Sequence, residues 1–281
     1  MSVRGFEPRD ARAWDEYVRS HPEGTFFHLA GWQEVLRRAF GHPSHYLLAE
    51  AGGRIVGVLP LAHVRSLLFG NALVSTPFCV YGGIVASGAE AFAALEAAGC
   101  ALAQRLGVDY LELRNRVRRH PQWPCKDLYV TFRKAIDPDP EKNMLAIPRK
   151  QRAMVRKGIK EELRAEADAT VDRHYEMYSE SLRNLGTPVF GKAYLQALRD
   201  VFGDDCDVVT ILKGDRAVAS VLNFYFRDEV LPYYGGGTGE ARAVAGNDYM
   251  YWAVMERARE RGCRLFDYGR SKRGTGAFDF K

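Results

Sequence analysis

Ala51-Gly-Gly-Arg-Ile-Val-Gly57 and Lys213-Gly-Asp-Arg-Ala-Val-Ala219 are the two stretches whose reading decides the fold. Each places a glycine-led turn signal before an apolar run, Val58-Leu-Pro-Leu61 in one case and Ser220-Val-Leu-Asn-Phe224 in the other. Each therefore predicts a strand entered from a tight turn. Outward from them the parallel continues. Tyr81-Gly-Gly83 answers Tyr234-Gly-Gly236, and a helix is predicted after each, Ala89 to Leu106 and Asp248 to Arg261. Gly107 and Gly262 close these helices, as glycine does where the chain must turn left-handed. A short strand follows, Tyr110 to Arg114 or Leu265 to Tyr268. Matched landmarks recur at a near-constant spacing, which reads as two copies of one β-β-β-α-β unit. The turn-rich Asp137-Pro-Asp-Pro140 is the expected boundary, giving domains 1–140 and 141–281 of α/β class, each with a mixed sheet.

The size fits this division, since 281 residues make two ordinary domains. Hydrophobic residues at 47% and charged residues at 27% exclude a disordered or low-complexity chain. Five cysteines, an odd number without C-x-x-C spacing, signal neither a disulfide framework nor a zinc site. The N-terminus has no apolar h-region, and the apolar window Ala89 to Val108 is interrupted by Glu90, Glu96, Gln104 and Arg105. A cytoplasmic protein is expected, with peripheral membrane contact left open.

The chain's net charge of +5 is local in origin. Residues 147–164 carry Arg149, Lys150, Arg152, Arg156, Lys157, Lys160 and Arg164 against Glu161 and Glu162, and predict a helix. Val155, Ile159 and Leu163 form its narrow apolar stripe. A solvated helix face and an anion site weigh about equally here, and phosphates of a cofactor, an RNA or a lipid headgroup all fit.

Motifs of other enzyme classes are missing: no G-x-S-x-G, no H-E-x-x-H, no G-x-x-x-x-G-K-[ST]. His42 and His45 have no acidic or cysteine partner nearby, so no metal is expected, and His28 among aromatics reads as a hydrogen-bonded packing residue. Three segments of the second copy remain. Asn247-Asp-Tyr-Met-Tyr-Trp252 opens a helix, with Asn247 or Asp248 as N-cap and free amides suited to a carboxylate or phosphate. Tyr233-Tyr-Gly-Gly-Gly237 puts Tyr234, Gly235 and Gly236 at a strand end where a second strand or a ligand approaches closely. Phe266 to Lys281 reads as a strand, a turn bearing Arg270, Ser271, Lys272 and Arg273, and an aromatic-alternating strand. A merely structural hairpin does not need those four side chains together, so an anion-binding turn is favoured.

In combination, Phe27-His-Leu-Ala-Gly-Trp32, Ile147-Pro-Arg-Lys-Gln-Arg152, Asn247 to Trp252, Phe266-Asp-Tyr-Gly-Arg270 and Gly274 to Lys281 resemble the FemAB family of tandem GNAT-fold acyltransferases. The likeness is greatest to the branch associated with PEP-CTERM/exosortase and exopolysaccharide gene clusters. It covers essentially the whole chain and implies two tandem GNAT-like domains. It also implies transfer of an acyl or aminoacyl group from an activated donor to an amine of a cell-envelope or exopolysaccharide precursor. The donor would be aminoacyl-tRNA or an acyl thioester such as acyl-CoA, with no tightly bound cofactor. The acceptor would be a small-molecule or a lipid- or sugar-linked amine. The family's Phe-Lys pair at the acyl-transfer centre falls on Phe280 and Lys281.

On this basis Lys281 is the candidate for the oxyanion or leaving group, and Asp267 and Tyr268 for proton handling. Amides around Gly235 to Gly237 would assist. Arg270, Ser271, Lys272, Asn247, Asp248, Arg149, Lys150 and Arg152 would hold the donor's phosphates. The phosphate loop [QR]-x-x-G-x-[GA] of CoA-dependent GNATs is not matched. Arg242-Ala-Val-Ala-Gly-Asn247 is one residue too long and lacks the final Gly or Ala, which disfavours acetyl-CoA. The family pattern also leads one to expect further strand after Lys281. Two other classes stay open, an RNA-binding module gripping through Arg149 to Arg164 and a catalytically silent scaffold with a filled groove.

Overall fold

Both turn signals close tight hairpins. Ala51 pairs with Arg54 across Gly52-Gly53, and Lys213 with Arg216 across Gly214-Asp215. Gly52 (φ +58°), Gly53 (φ +73°) and Gly214 (φ +59°) lie in the left-handed region that such two-residue turns require. The structure, a computed structural model, describes residues 1–66 and 70–281, which form two compact units, Met1–Lys126 and Asp127–Lys281.

The first unit runs β1 (Ser2–Gly5), α1 (Ala11–Ser20), α2 (Trp32–Phe40), β2 (Leu47–Ala51), β3 (Arg54–Leu59), β4 (Leu61–Ser66), β5 (Gly70–Ser75), β6 (Val85–Ala86), α3 (Ala89–Leu106) and β7 (Tyr110–Glu112). Its strands form the sheets β1-β2-β3-β6 and β4-β5-β7. The second unit runs β8 (Tyr129–Ala135), α4 (Pro140–Ala146), α5 (Arg149–Lys160), β9 (Arg164–Ala167), α6 (Asp172–Asn184), α7 (Lys192–Phe202), β10 (Cys206–Lys213), β11 (Arg216–Phe226), β12 (Glu229–Gly237), α8 (Gly239–Ala243), α9 (Gly246–Glu260), β13 (Leu265–Lys272) and α10 (Gly276–Phe280). Its single sheet has the order β8-β13-β12-β11-β10-β9. Because β8 pairs antiparallel with β13, residues 127–140 belong to this unit. The division therefore falls after Lys126 and not at Asp137–Pro140.

The two units share one path. A hairpin leads into a second hairpin, then a helix, then a strand parallel to the one before the helix. In the second unit these are β10–β11, β11–β12, α9 and β13. In the first, β2–β3 and β4–β5 precede α3 and β7, and the long middle strand is interrupted at Pro60, which has no amide to donate to a ladder. One expected landmark is displaced. Tyr81-Gly-Gly83 lies in the loop before β6, whereas Tyr234 to Gly236 lie within β12, whose counterpart is β5. The extra segment from Thr76 to Gly88 in the first unit produced the false match.

In the first unit α3 packs Leu95 and Leu102 onto Leu59, Leu61 and Leu73. Trp14, Phe26, Phe27 and Trp32 are fully buried, and both indoles find partners: Trp14 donates to the His28 carbonyl (2.6 Å) and Trp32 to that of Phe26 (3.0 Å). His28 is the packing residue expected from its neighbours, with Thr25 Oγ1 at 2.8 Å and the Gly83 carbonyl at 3.1 Å. Burial pushes its pKa down to about 4. In the second unit α9 buries Met250, Val254, Met255 and Ala258 over the sheet, roughly 1.5–3 kcal/mol for each large side chain.

Two predictions follow from this packing. A Cβ on Gly236 would stand 2.8 Å from Met177 O and Tyr178 Cα of α6, both backbone atoms. Gly236→Ala should therefore destabilise by about 1–3 kcal/mol in urea unfolding. His28 stays neutral in the folded chain down to about pH 4, while in the unfolded chain it takes up a proton near the ordinary histidine value of 6.5. Stability of the first unit should hold above that value and fall as pH drops from there to 4. His28→Asn should flatten that slope in pH-dependent melts.

Candidate functional site

The site begins where two neighbouring strands part. β12 and β13 pair only at Glu229–Leu265 and Val230–Phe266 among the described residues, while the opposite edge of β13 stays paired with β8 from Leu265 to Lys272. The ladder to β8 is broken between Asp267 and Arg270, with Gly269 at φ +67°. Asp267, 2% exposed, fixes this bulge: its Oδ1 accepts from Gly269 N at 2.7 Å and its Oδ2 lies 3.4 Å from Arg133 Nε. Arg133 also pairs with Glu229, tying β8 to the start of β12. A bulge re-aims side chains at the point where the strand bends. Here it leaves Tyr268 facing a cavity of about 260 Å³.

Four elements complete the walls. From α9 come Asp248, Tyr251, Trp252 and Met255, at the spacing that puts residues on one helical face. Phe132 to Lys134 of β8, the α4–α5 junction with Gln151 and Val155, and Asp279 to Lys281 close the rest. Tyr251 stacks on Tyr268 with centroids 5.7 Å apart, and burial pushes both phenols up to about 12. At neutral pH they are hydrogen-bond donors. Burial raises the Asp248 carboxyl above its ordinary value. Lys281 Nζ lies 3.3 Å from the Arg270 carbonyl. Burial lowers its pKa while the Asp267 charge opposes the shift. The cavity thus combines a carboxylate, phenol donors and an amine that loses its proton more readily than an exposed lysine.

Of the residues singled out from sequence, the structure brings Asp248, Tyr268 and Lys281 together here. Asp267 stands behind them as a buried anchor. Tyr234 is in the core, its hydroxyl 2.9 Å from that of Tyr194. Gly235 packs beside Met250 and Val221, and Gly236 against α6, so the tight approach in β12 is strand to helix. The N-cap of α9 is Ala245, in the left-handed region at φ +58°, rather than Asn247 or Asp248. Asn247 lies against Gly237, and α8 packs on the first turn of α9 with Ala241 against Gly246. Arg270, Ser271 and Lys272 are strand residues of β13, not a turn. Arg270 is exposed over the Tyr129 ring at 4.8 Å, Lys272 is exposed, and buried Ser271 donates to the Ala277 carbonyl at 3.4 Å. The segment expected as a final strand is the short helix α10, with Thr275 accepting from Phe278 N.

The basic helix stops at Lys160, so Leu163 and Arg164 lie beyond it and Ile159 is exposed. Its inner face is Gln151, Val155 and Gly158, the last lying against Tyr249. Arg149 and Lys150 point outward, and Arg152 donates to the Leu145 carbonyl at 2.9 Å. Sequence reading missed Tyr251, Trp252 and Gln151 as wall residues. The available signal was the i, i+3, i+4, i+7 series from Asp248.

Residues 145–281 match the acetyltransferase (GNAT) domain family. No curated protein matches the sequence. Among solved structures, FemX is similar over 98% of this chain and 90% of its own, with a TM-score of 0.75 at 16% identity. A tandem GNAT protein from the clavulanic acid biosynthesis pathway is similar over 99% and 92%, with a TM-score of 0.58 at 12% identity. The C-terminal domain of a putative lysylphosphatidylglycerol synthetase from Agrobacterium fabrum is similar over 94% and 79%, with a TM-score of 0.56 at 14% identity. The fold is therefore a tandem GNAT fold of FemAB-like form, as the resemblance implied. Among the described residues no helix is long and apolar enough to cross a membrane.

The charge coupling inside the site can be measured. Asp267→Asn keeps an acceptor for Gly269 N but removes the charge that holds Lys281 protonated. The Lys281 pKa should fall further below its ordinary value, read by carbon-13 NMR after reductive methylation. An unchanged or higher pKa would contradict the coupling.

Proposed function

We propose that this protein is an N-acyltransferase that moves an aminoacyl or acyl group from an activated donor to a primary amine within the cavity of the second unit. The observation that carries the reading is the convergence of Asp248, Tyr268 and Lys281 on one aromatic-walled space. The tandem GNAT fold and the GNAT-domain match over residues 145–281 support it. The amine must attack in its neutral form, and Asp248 accepts its proton in this reading, which its position in the cavity wall supports. Its nitrogen bonds to the donor's carbonyl carbon, and the bond to the leaving oxygen or sulfur breaks. Lys281 and the Tyr268 hydroxyl stabilise the charge that develops on the carbonyl oxygen and the leaving group.

For the donor, the packing of α8 on the first turn of α9 favours an aminoacyl ester over CoA, because a phosphate cradle needs open amides there. The resemblance of the motifs to the FemAB family supports aminoacyl-tRNA in that role and a cell-envelope precursor as acceptor, and the fold shared with FemX is in keeping with it. An exopolysaccharide precursor is the alternative acceptor, in keeping with the branch that the motifs resemble. A catalytically silent scaffold would have a filled groove, and the cavity of about 260 Å³ argues against it.

Incubation of the protein with charged tRNA or with an acyl-CoA panel, each with candidate amines, should give acylated amine by mass spectrometry from charged tRNA. Product from acyl-CoA alone would overturn the donor assignment. Lys281→Met should lower turnover by about a hundred- to a thousand-fold, the typical loss for an oxyanion donor. Full turnover in that variant would remove its role.

A further inference from the structure

The face of α5 opposite the cavity carries a second pattern. With Gln151, Val155 and Gly158 turned inward, helical spacing puts Arg149, Arg156 and Lys160 along the outer face, flanked by Lys150 and Lys157, all five exposed. Among the described residues Arg149, Lys150 and Arg156 make no ion pair. Glu161, just past the helix, is engaged by Lys213 at 2.8 Å. Beside these cations stand two exposed aliphatic side chains, Leu145 at 63% and Ile159 at 49% exposure. Arg152, on the same flank of the helix as Ile159, donates to the Leu145 carbonyl.

We propose that this face seats the protein on an anionic lipid surface, with headgroup phosphates meeting the cations and Leu145 and Ile159 entering the acyl boundary. A single exposed aliphatic residue means little. Two of them, Leu145 at the end of α4 and Ile159 on α5, together with the five exposed cations of α5, supply the two signals that peripheral lipid binding combines, basic charge and apolar insertion. RNA phosphates would complement the same charge. Yet Arg149 to Lys160 contain no aromatic residue on which a base could stack, and exposed aliphatic side chains gain nothing from a phosphate backbone. The lipid surface is favoured for that reason. The inference goes beyond acyl transfer and does not rest on it, since the face and the cavity lie on opposite sides of α5.

The test is co-sedimentation of the full chain with phosphatidylglycerol–phosphatidylcholine vesicles and with pure phosphatidylcholine vesicles. Binding should require the anionic lipid and weaken as salt is raised. The variant Arg149→Glu/Lys150→Glu/Arg156→Glu should cut partitioning by about a hundredfold. Leu145→Ser/Ile159→Ser should weaken it by roughly tenfold with the charge intact. All five side chains are exposed, and at positions 149 and 150 acidic residues suit the first turn of the helix, so melting curves should stay close to those of the parent chain. No binding to anionic vesicles would overturn the proposal. So would binding indifferent to both variants, or a duplex RNA that binds through the same cations while Leu145→Ser/Ile159→Ser changes nothing.

Discussion

The parting of β12 from β13 is the constraint on which the second unit's site depends. Two parallel strands that separate after two paired residues leave polar edges and a gap, which neighbouring elements must satisfy. In this chain β13 keeps β8 on its other edge throughout and takes a bulge just past the point where β12 leaves it. Asp267 holds that bulge, and its buried carboxylate is matched by Gly269 N and the Arg133 guanidinium. A buried charge without such partners would be costly. With them, it becomes the fixed point from which Tyr268 is aimed and against which the charge of Lys281 is felt.

Placement of the remaining groups follows from α9. One face of this helix buries Met250, Val254 and Ala258 over the sheet, which fixes its rotation. Asp248, Tyr251 and Trp252 are then carried to the cavity without freedom to turn away. The close approaches at Gly236 and Gly158 have the same character, since each lets a helix sit directly on its neighbour. The site is held by packed elements, and only α10, carrying Phe280 and Lys281, depends on a short cap at Thr275 and the Ser271 hydroxyl.

Much of the fold was legible in the residues because its signals are local. Gly52-Gly53 and Gly214-Asp215 specify their turns whatever surrounds them, and Gly107 and Gly262 mark two helix ends by the same steric logic. The errors arose where a pattern admits two partners or two periods. Tyr81-Gly-Gly83 and Tyr234-Gly-Gly236 share letters but not elements. Phe278-Asp-Phe280 alternates like a strand, yet it is too short to distinguish one from a single helical turn. Val155, Ile159 and Leu163 keep a four-residue spacing, but the helix ends before Leu163 and leaves Ile159 in water.

By itself the sequence determined the duplicated plan, the hairpins, the glycine-closed helices and the concentration of charge in one helix, because all of these act over a few residues. Only the tertiary structure decided which polar groups meet. Asp248 and Lys281 are distant in the chain, and their meeting depends on how α9 rotates, where β13 bulges and where β12 parts from it. Those choices are made by burial and by the pairing of backbone edges summed over the whole unit, and no local spacing records them.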